Sequence, residues 1–337
     1  MALTLITILF FLPLLAPNAN AQQPVTYDVR KYSAKPGADI SQAVLDAWKE
    51  ACNSTSPSTV FIPPGTWLLS QVKLLGPNKA PIELQVQGTL QASPDPSKLP
   101  NKEGEWITIN YVNFLTLTGG GVLDAPGDSP NTDGIHVARS TNIRITDSII
   151  KTGDDCVSMG DETKEVYIQN VTCGPGHGIS IGSLGGYATE KDVTGVYVKN
   201  CTFIGTTNGV RVKTWPSAPA TLTVSELHFE DLIMDNASLP IVIDQEYCPH
   251  NLCNKDRPSS IKISNVSIKN VRGTTSTAEA VWLVCSSLKP CENVEVGDID
   301  LTYTGNQGPI TTQCTNVKPK FVGKQNPPVC AATAKSA

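Results

Sequence analysis

A fixed repeat constrains this chain more than any other feature. Asp133, Asp155 and His177 stand 22 residues apart, and two positions after each comes the first apolar residue of a short alternating strand: Ile135, Val157 and Ile179. A fourth such strand opens at Val210, with Asn208 two residues before it and Arg211 one after. A period that returns similar residues to one corner of successive strands specifies a stacked solenoid, in which each coil covers its neighbour. The four sites read NTDG (131–134), GDDC (153–156), GHG (176–178) and RVK (211–213). Asp133, Asp155 and His177 share the parity of the inward residues. The glycines at 134, 153 and 178 therefore predict that they lie in the turn ahead of each strand, not inside it.

A second pattern, apolar-x-apolar-x-Asp/Asn, runs alongside the first. It occurs at Ile143-Ile145-Asp147, Val166-Ile168-Asn170, Val196-Val198-Asn200, Leu227-Phe229-Asp231, Ile261-Ile263-Asn265 and Val294-Val296-Asp298. Each occurrence precedes another strand, such as 241–243 or 281–283. Two or more strands per repeat with irregular loops predict an all-β protein, a right-handed parallel β-helix. Earlier coils are expected at 61–62, 82–86 and 115–117. One helix is expected over 40–51, with Asp39 as N-cap and a stripe of Ile40, Val44, Ala47, Trp48 and Ala51. Its expected task is to cover the open N-terminal end of the stack.

Residues 1–21, an apolar run ending in Ala19-Asn20-Ala21, read as a secretory signal peptide, which leaves 22–337 as a single domain. Pro13 and Pro17 argue against a membrane anchor, and no later stretch is apolar enough to span. A formal net charge of −5 gives no basic footprint for nucleic acid. Ten cysteines in a secreted chain imply disulfides, and local spacing favours Cys156 with Cys173, Cys248 with Cys253, Cys285 with Cys291 and Cys314 with Cys330. Cys52 and Cys201 remain. No CxxC pair or His cluster supports a metal. Asn53, Asn170, Asn200, Asn236 and Asn265 head N-x-S/T sequons and so are candidate glycan acceptors.

Neighbouring coils lie ~4.8 Å apart, so Asp133 and Asp155 should be close, with Asp154 beside them. Two carboxylates at ~5 Å repel by about 3 kcal/mol at an effective dielectric of ~20, roughly two pKa units. One of the three should then hold a proton while its neighbours are ionised, the requirement for two-carboxylate glycoside hydrolysis. Arg211 and Lys213 should face outward about two coils beyond Asp155. The local sequence offers no acidic partner at Val210, Val212 or Thr214, which predicts a receptor for an anion. Taken singly, each motif has a plainer reading as a turn or a solvated face; their joint order and register favour a site.

The four motifs resemble those of polygalacturonases of glycoside hydrolase family 28, which read NTD, GDD, GHG and RIK; the last is RVK here. The resemblance runs from about Tyr27 to Cys330, and QEYCPHNLC (245–253) is most similar to plant pollen-type exopolygalacturonases. It implies inverting hydrolysis of α-1,4-galacturonosyl linkages in polygalacturonate from the non-reducing end, by a secreted monomer of the plant cell wall without cofactor or metal. By the same resemblance Asp154 would be the general acid, Asp133 and Asp155 would activate water, and His177 would support the cluster. Arg211 and Lys213 would bind a substrate carboxylate, and Tyr247 would line a neighbouring subsite. The chain departs from the pattern at GGGVLDAPGDSPNTDG (119–134), which joins segments that further coils separate in the family, so that roughly two coils are missing near 121–124. A catalytically impaired pectin-binding or allergen-like wall protein, a rhamnogalacturonan hydrolase and, more distantly, a pectate lyase are the alternatives.

Overall fold

The computed structural model describes residues 23–93, 105–125 and 132–330. The expected signal peptide lies outside them, as do Asn131 and the part of the short joint from Pro126 to Pro130. Among the described residues, no helix is long and apolar enough to cross a membrane.

The strands pair in parallel, coil upon coil, into the expected parallel β-helix. One sheet carries the strands that open each functional motif: Ile135–Ala138, Val157–Met159, Ile179–Leu184 and Asn208–Thr214. Its register places Ile135 opposite Val157, Val157 opposite Ile179 and Ile179 opposite Val210, as the 22-residue period requires. The other sheet carries longer strands, Thr141–Lys151 through Glu292–Tyr303, and between the sheets lies one continuous apolar core.

Each long strand is bent by a left-handed residue. Asp147, Asn170, Asn200, Asp231, Asn270 and Asp298 have φ between 51° and 57°, a conformation that Asn and Asp adopt at low cost. Their side chains link successive coils; Asn170 Nδ2 donates to Asp147 Oδ1 at 3.0 Å, for example. This ladder corrects one expected repeat. Leu227 pairs with Val266 and Phe229 with Ile268, so the fifth unit is Val266-Ile268-Asn270, not Ile261-Ile263-Asn265. Asn265 belongs to a second left-handed row at the start of the strands, where Asn293 Nδ2 donates to its Oδ1 at 2.9 Å. Outside the same sheet, Tyr167 stacks on Tyr197 and Tyr197 on His228, with Arg144 over Tyr167 at 4.4 Å.

The helix spans Ser41–Asn53 and buries Val44, Ala47, Trp48 and Ala51 against the first coils, with the Trp48 indole donating to the Leu75 carbonyl at 3.0 Å. Ile40, not Asp39, occupies the N-cap position, although Asp39 Oδ1 still accepts the Ser41 N–H at 2.8 Å. All four expected disulfides form, and Cys52 and Cys201 are free and buried. Across the joint the stack is unbroken: Ile107 pairs with Ile135 and Leu115 with Ile143, so the coil of 107–118 lies directly against the coil of Asp133.

Candidate active site

The functional side chains occupy two rows on the motif-bearing sheet. The first row lies in the turns ahead of the strands and holds Asp133, Asp155 and His177. Their turns are fixed by backbone bonds between coils, Gly134 N–H to the Asp155 carbonyl at 2.9 Å and Cys156 N–H to the Gly178 carbonyl at 2.8 Å. The Cys156–Cys173 disulfide ties down the residue next to Asp155. Gly178 is obligatory here: its φ is +86°, and a Cβ would sit 2.3 Å from the Asn208 carbonyl oxygen.

The second row is the first outward residue of each strand: Thr108, His136, Ser158, Ser180 and Arg211 lie side by side in register. These side chains face the carboxylates. Ser158 Oγ donates to Asp133 Oδ2 at 2.6 Å, and Ser180 Oγ donates to Asp155 Oδ1 at 2.6 Å. Sequence reasoning passed over His136, Ser158 and Ser180, although their position immediately after the repeat's apolar zero is visible in the chain.

Arg211 and Lys213 are not the unpaired outward cations expected from local sequence. Arg211 Nη2 lies 2.9 Å from Asp155 Oδ1, and Lys213 Nζ lies 2.9 Å from Asp155 Oδ2. All three side chains are largely buried, with exposures of 14%, 7% and 2% for Arg211, Lys213 and Asp155. Burial by itself would raise the Asp155 pKa, but Lys213, Arg211 and the Ser180 hydroxyl outweigh it and hold the carboxyl below its ordinary value. Asp244 stands beside Lys213 on the next strand. Among the described residues nothing holds Arg211 Nη1, and Lys213 Nζ also lies 5.4 Å from the centre of the Tyr247 ring, which packs edge-on to Trp215.

The other two carboxyls have different surroundings. Asp133 is raised to about 7, first by burial and then by the charges of Asp155 and Asp154. Asp154 Oδ1 accepts the Asp155 N–H at 2.8 Å and lies 2.8 Å from His177 Nδ1, while Oδ2 has no protein partner among the described residues. Burial and neighbouring carboxylates thus push Asp133 up, while the flanking cations hold Asp155 down.

An open groove of about 610 Å³ is lined by Asp133, Asp154, Asp155, Lys213 and Tyr247, with His136 and Ser158. It continues over Lys73, Glu105 and Asn110 on one side and Tyr187 on the other. A hollow of about 570 Å³ near Tyr27 and Tyr32 lies at the helical end, away from these carboxyls. Oxygen and nitrogen atoms of Asp154, Asp155 and His177 come within 4.8 Å of one another, a donor set that would suit a cation. Both Asp155 oxygens already accept from cationic side chains, whose charge opposes a metal there.

Residues 52–129 and 122–325 match the family described as "Glycosyl hydrolases family 28". A tobacco (Nicotiana tabacum) protein named polygalacturonase is 49% identical over 93% of this chain and 94% of its own length. An Oenothera organensis protein named exopolygalacturonase is 44% identical over 89% of this chain and 100% of its own. Among solved structures, the endo-xylogalacturonan hydrolase of Aspergillus tubingensis aligns with a TM-score of 0.57 at 20% identity, covering 87% of this chain and 96% of that one. The polygalacturonase of Erwinia carotovora ssp. carotovora aligns at 0.54 and 20%, covering 89% and 97%. At these identities the two structures speak to the fold.

Proposed function

Because the chain belongs to the glycosyl hydrolases of family 28 and is therefore a glycoside hydrolase, we propose that its groove hydrolyses the α-1,4-galacturonosyl linkages of polygalacturonate. The observation that carries this reading is the carboxyl cluster itself: Asp133, Asp154 and Asp155 line one groove, two cations lie against Asp155, and the surroundings push Asp133 up and hold Asp155 down. Glycoside hydrolysis needs that division of acid and base.

In this mechanism Asp154 protonates the leaving oxygen through Oδ2, the carboxyl oxygen that faces the groove without a protein partner. His177 and the Asp155 N–H fix the other oxygen and so the plane of the carboxyl. Asp133 and Asp155 flank the attacking water on the opposite side, which inverts the anomeric centre. Arg211 and Lys213 neutralise Asp155 and present their remaining donors to a sugar carboxylate, and Tyr247 lines the next subsite. One feature favours a second assignment, with Asp133 as the acid: burial and the charges of Asp155 and Asp154 raise its pKa.

Chain-end action is supported by relatives named exopolygalacturonases. An extracellular, cell-wall setting is supported by those relatives, by the signal-like residues 1–21, and by four disulfides, which persist in oxidising compartments. Loss of coils is supported by the family match, whose two pieces meet at 122–129. The comparison with the tobacco protein spans 375 positions but uses 93% of a 337-residue chain, about 313 residues, so about 60 positions face nothing here.

Incubation with polygalacturonate tests the reading. The expected result is new reducing ends, short products from the first minutes, and a β-anomer as the first product by proton NMR. An unsaturated, ultraviolet-absorbing product would indicate a lyase instead, and binding without cleavage a wall-binding protein.

A further inference from the structure

Asp133 is the end of a chain of side chains that runs along the groove, across successive coils. Ser158 Oγ lies 2.6 Å from Asp133 Oδ2, and His136 Nδ1 lies 2.7 Å from the same Oγ. On the other edge of the imidazole, Nε2 faces Glu105 Oε1 at 3.7 Å, and Glu105 Oε2 accepts from Thr108 Oγ1 at 2.9 Å. Each member stands on a neighbouring coil at matching register, Thr108 beside His136 beside Ser158. The hydroxyl of Ser158 is buried and can donate only one proton, so what it does toward Asp133 fixes what it must do toward His136.

We propose that His136 and Ser158 form a proton relay that sets and resets the protonation of Asp133, with Glu105 holding the outer face of the imidazole. Two hydrogen-bond patterns are available, and they interconvert with one proton in and one out. With Asp133 protonated, its O–H donates to Ser158 Oγ, Ser158 O–H donates to His136 Nδ1, and the neutral imidazole carries its proton on Nε2. To discharge, Asp133 passes the proton taken from the attacking water to Ser158 Oγ, the Ser158 proton goes to His136 Nδ1, and His136 releases its Nε2 proton toward Glu105 and the solvent. Asp133 is then ionised, with Ser158 O–H donating to Asp133 Oδ2 and His136 Nδ1–H donating to Ser158 Oγ. No electrons move, and the imidazole ends as the Nδ1–H tautomer, which returns to the Nε2–H form by exchanging its proton with water before the next turnover. His136 and Ser158 are positioning residues in this scheme, because they act on the reaction through Asp133.

The surroundings suit a neutral, tautomer-switching imidazole. Burial disfavours imidazolium at His136 and the Arg139 charge adds to that effect, while Glu105, Asp155 and Asp161 oppose it; the balance lowers its pKa. Arg139 is itself held by Asp161 at 2.7 Å. Around Asp133 the charged groups are Asp155, Asp154 and Lys213, and the Ser158 bond pulls the carboxyl down against burial. Removing that bond must raise it further.

The kinetic arm rests on the hydrolase reading; the spectroscopic arm does not. In Ser158→Ala the limb of the kcat/KM profile near pH 7 should move upward by about one pH unit, the worth of one hydrogen bond to a charged group. The direction is the same whether Asp133 serves as base or as acid, since either limb follows its pKa. Ser158→Thr keeps the hydroxyl and should restore the wild-type limb. By NMR, the His136 ring, assigned with His136→Asn among the four histidines, should report the Asp133 titration in wild type. It should lose that inflection in both Ser158→Ala and Asp133→Asn. An unmoved limb in a folded, active Ser158→Ala, or a His136 titration indifferent to Asp133→Asn, overturns the relay. A wild type inactive on polygalacturonate would refute the substrate reading, and the NMR coupling would still decide the relay.

Discussion

Replacing Lys213 by Gln separates a structural cation from a mere substrate receptor. Lys213 Nζ is 2.9 Å from Asp155 Oδ2, with both side chains more than nine-tenths buried. Two unit charges at that distance attract by ~6 kcal/mol at an effective dielectric of ~20. Desolvation takes back part of this, and breaking one side of a buried pair costs about 3 to 5 kcal/mol. Arg211 and Ser180 still hold Asp155 Oδ1, so the low end applies, about 3 kcal/mol, or a fall in Tm of about 6 °C for a domain of this size. The pH dependence has a definite sign. The folded pKa of Asp155 is depressed, so its stabilisation is present above the unfolded value and is lost as pH falls through the folded one. The variant raises that folded pKa, so the gap between the two proteins should be widest near neutrality and narrow below about pH 4. Calorimetric scans of both proteins from pH 3 to 7.5 make the measurement. A variant that melts within about 1 °C of wild type at pH 7, or a gap that stays constant down to pH 3, would refute the ion-triad argument.

Asp154→Asn should fold normally, because Asn keeps an oxygen for the Asp155 N–H, and should lose about 100-fold or more in turnover of polygalacturonate. A galacturonide with an activated leaving group should recover most of that loss. If such a substrate rescues Asp133→Asn and not Asp154→Asn, Asp133 is the acid. Gly178→Ala should lower Tm by several degrees and reduce activity together, since its Cβ would overlap the carbonyl oxygens of Asn208 and Gly209; wild-type melting would show that the turn has more room than its geometry gives.

The register of the site was legible in the sequence because a solenoid converts a period along the chain into adjacency in space. Ile135, Val157, Ile179 and Val210 align as the spacing requires, and the local cysteine pairs form. The errors share a physical origin. Strand parity says that Arg211 and Lys213 leave the core, but it says nothing of where a long side chain ends. Both return across two coils to a carboxylate 56 and 58 residues earlier. Asn265 misled because the long strands contain two left-handed rows, and Ile261-Ile263-Asn265 imitates one while lying on the other. His136 was overlooked because its partner Glu105 reaches it only through the coil-to-coil contact across the joint.

That contact has a wider consequence. The strand 107–110 meets the strand 135–138 with the same spacing and facing as any other pair in the stack. Such a molecule is a ruler graduated in steps of ~4.8 Å, and a gene that gains or loses one coil's worth of coding sequence changes the ruler's length without bending it. The reach of the groove along a polymer can then vary in whole increments, independently of the chemistry at its centre. Natural variation in polymer-length preference becomes a matter of counting coils, not of redesigning a catalyst.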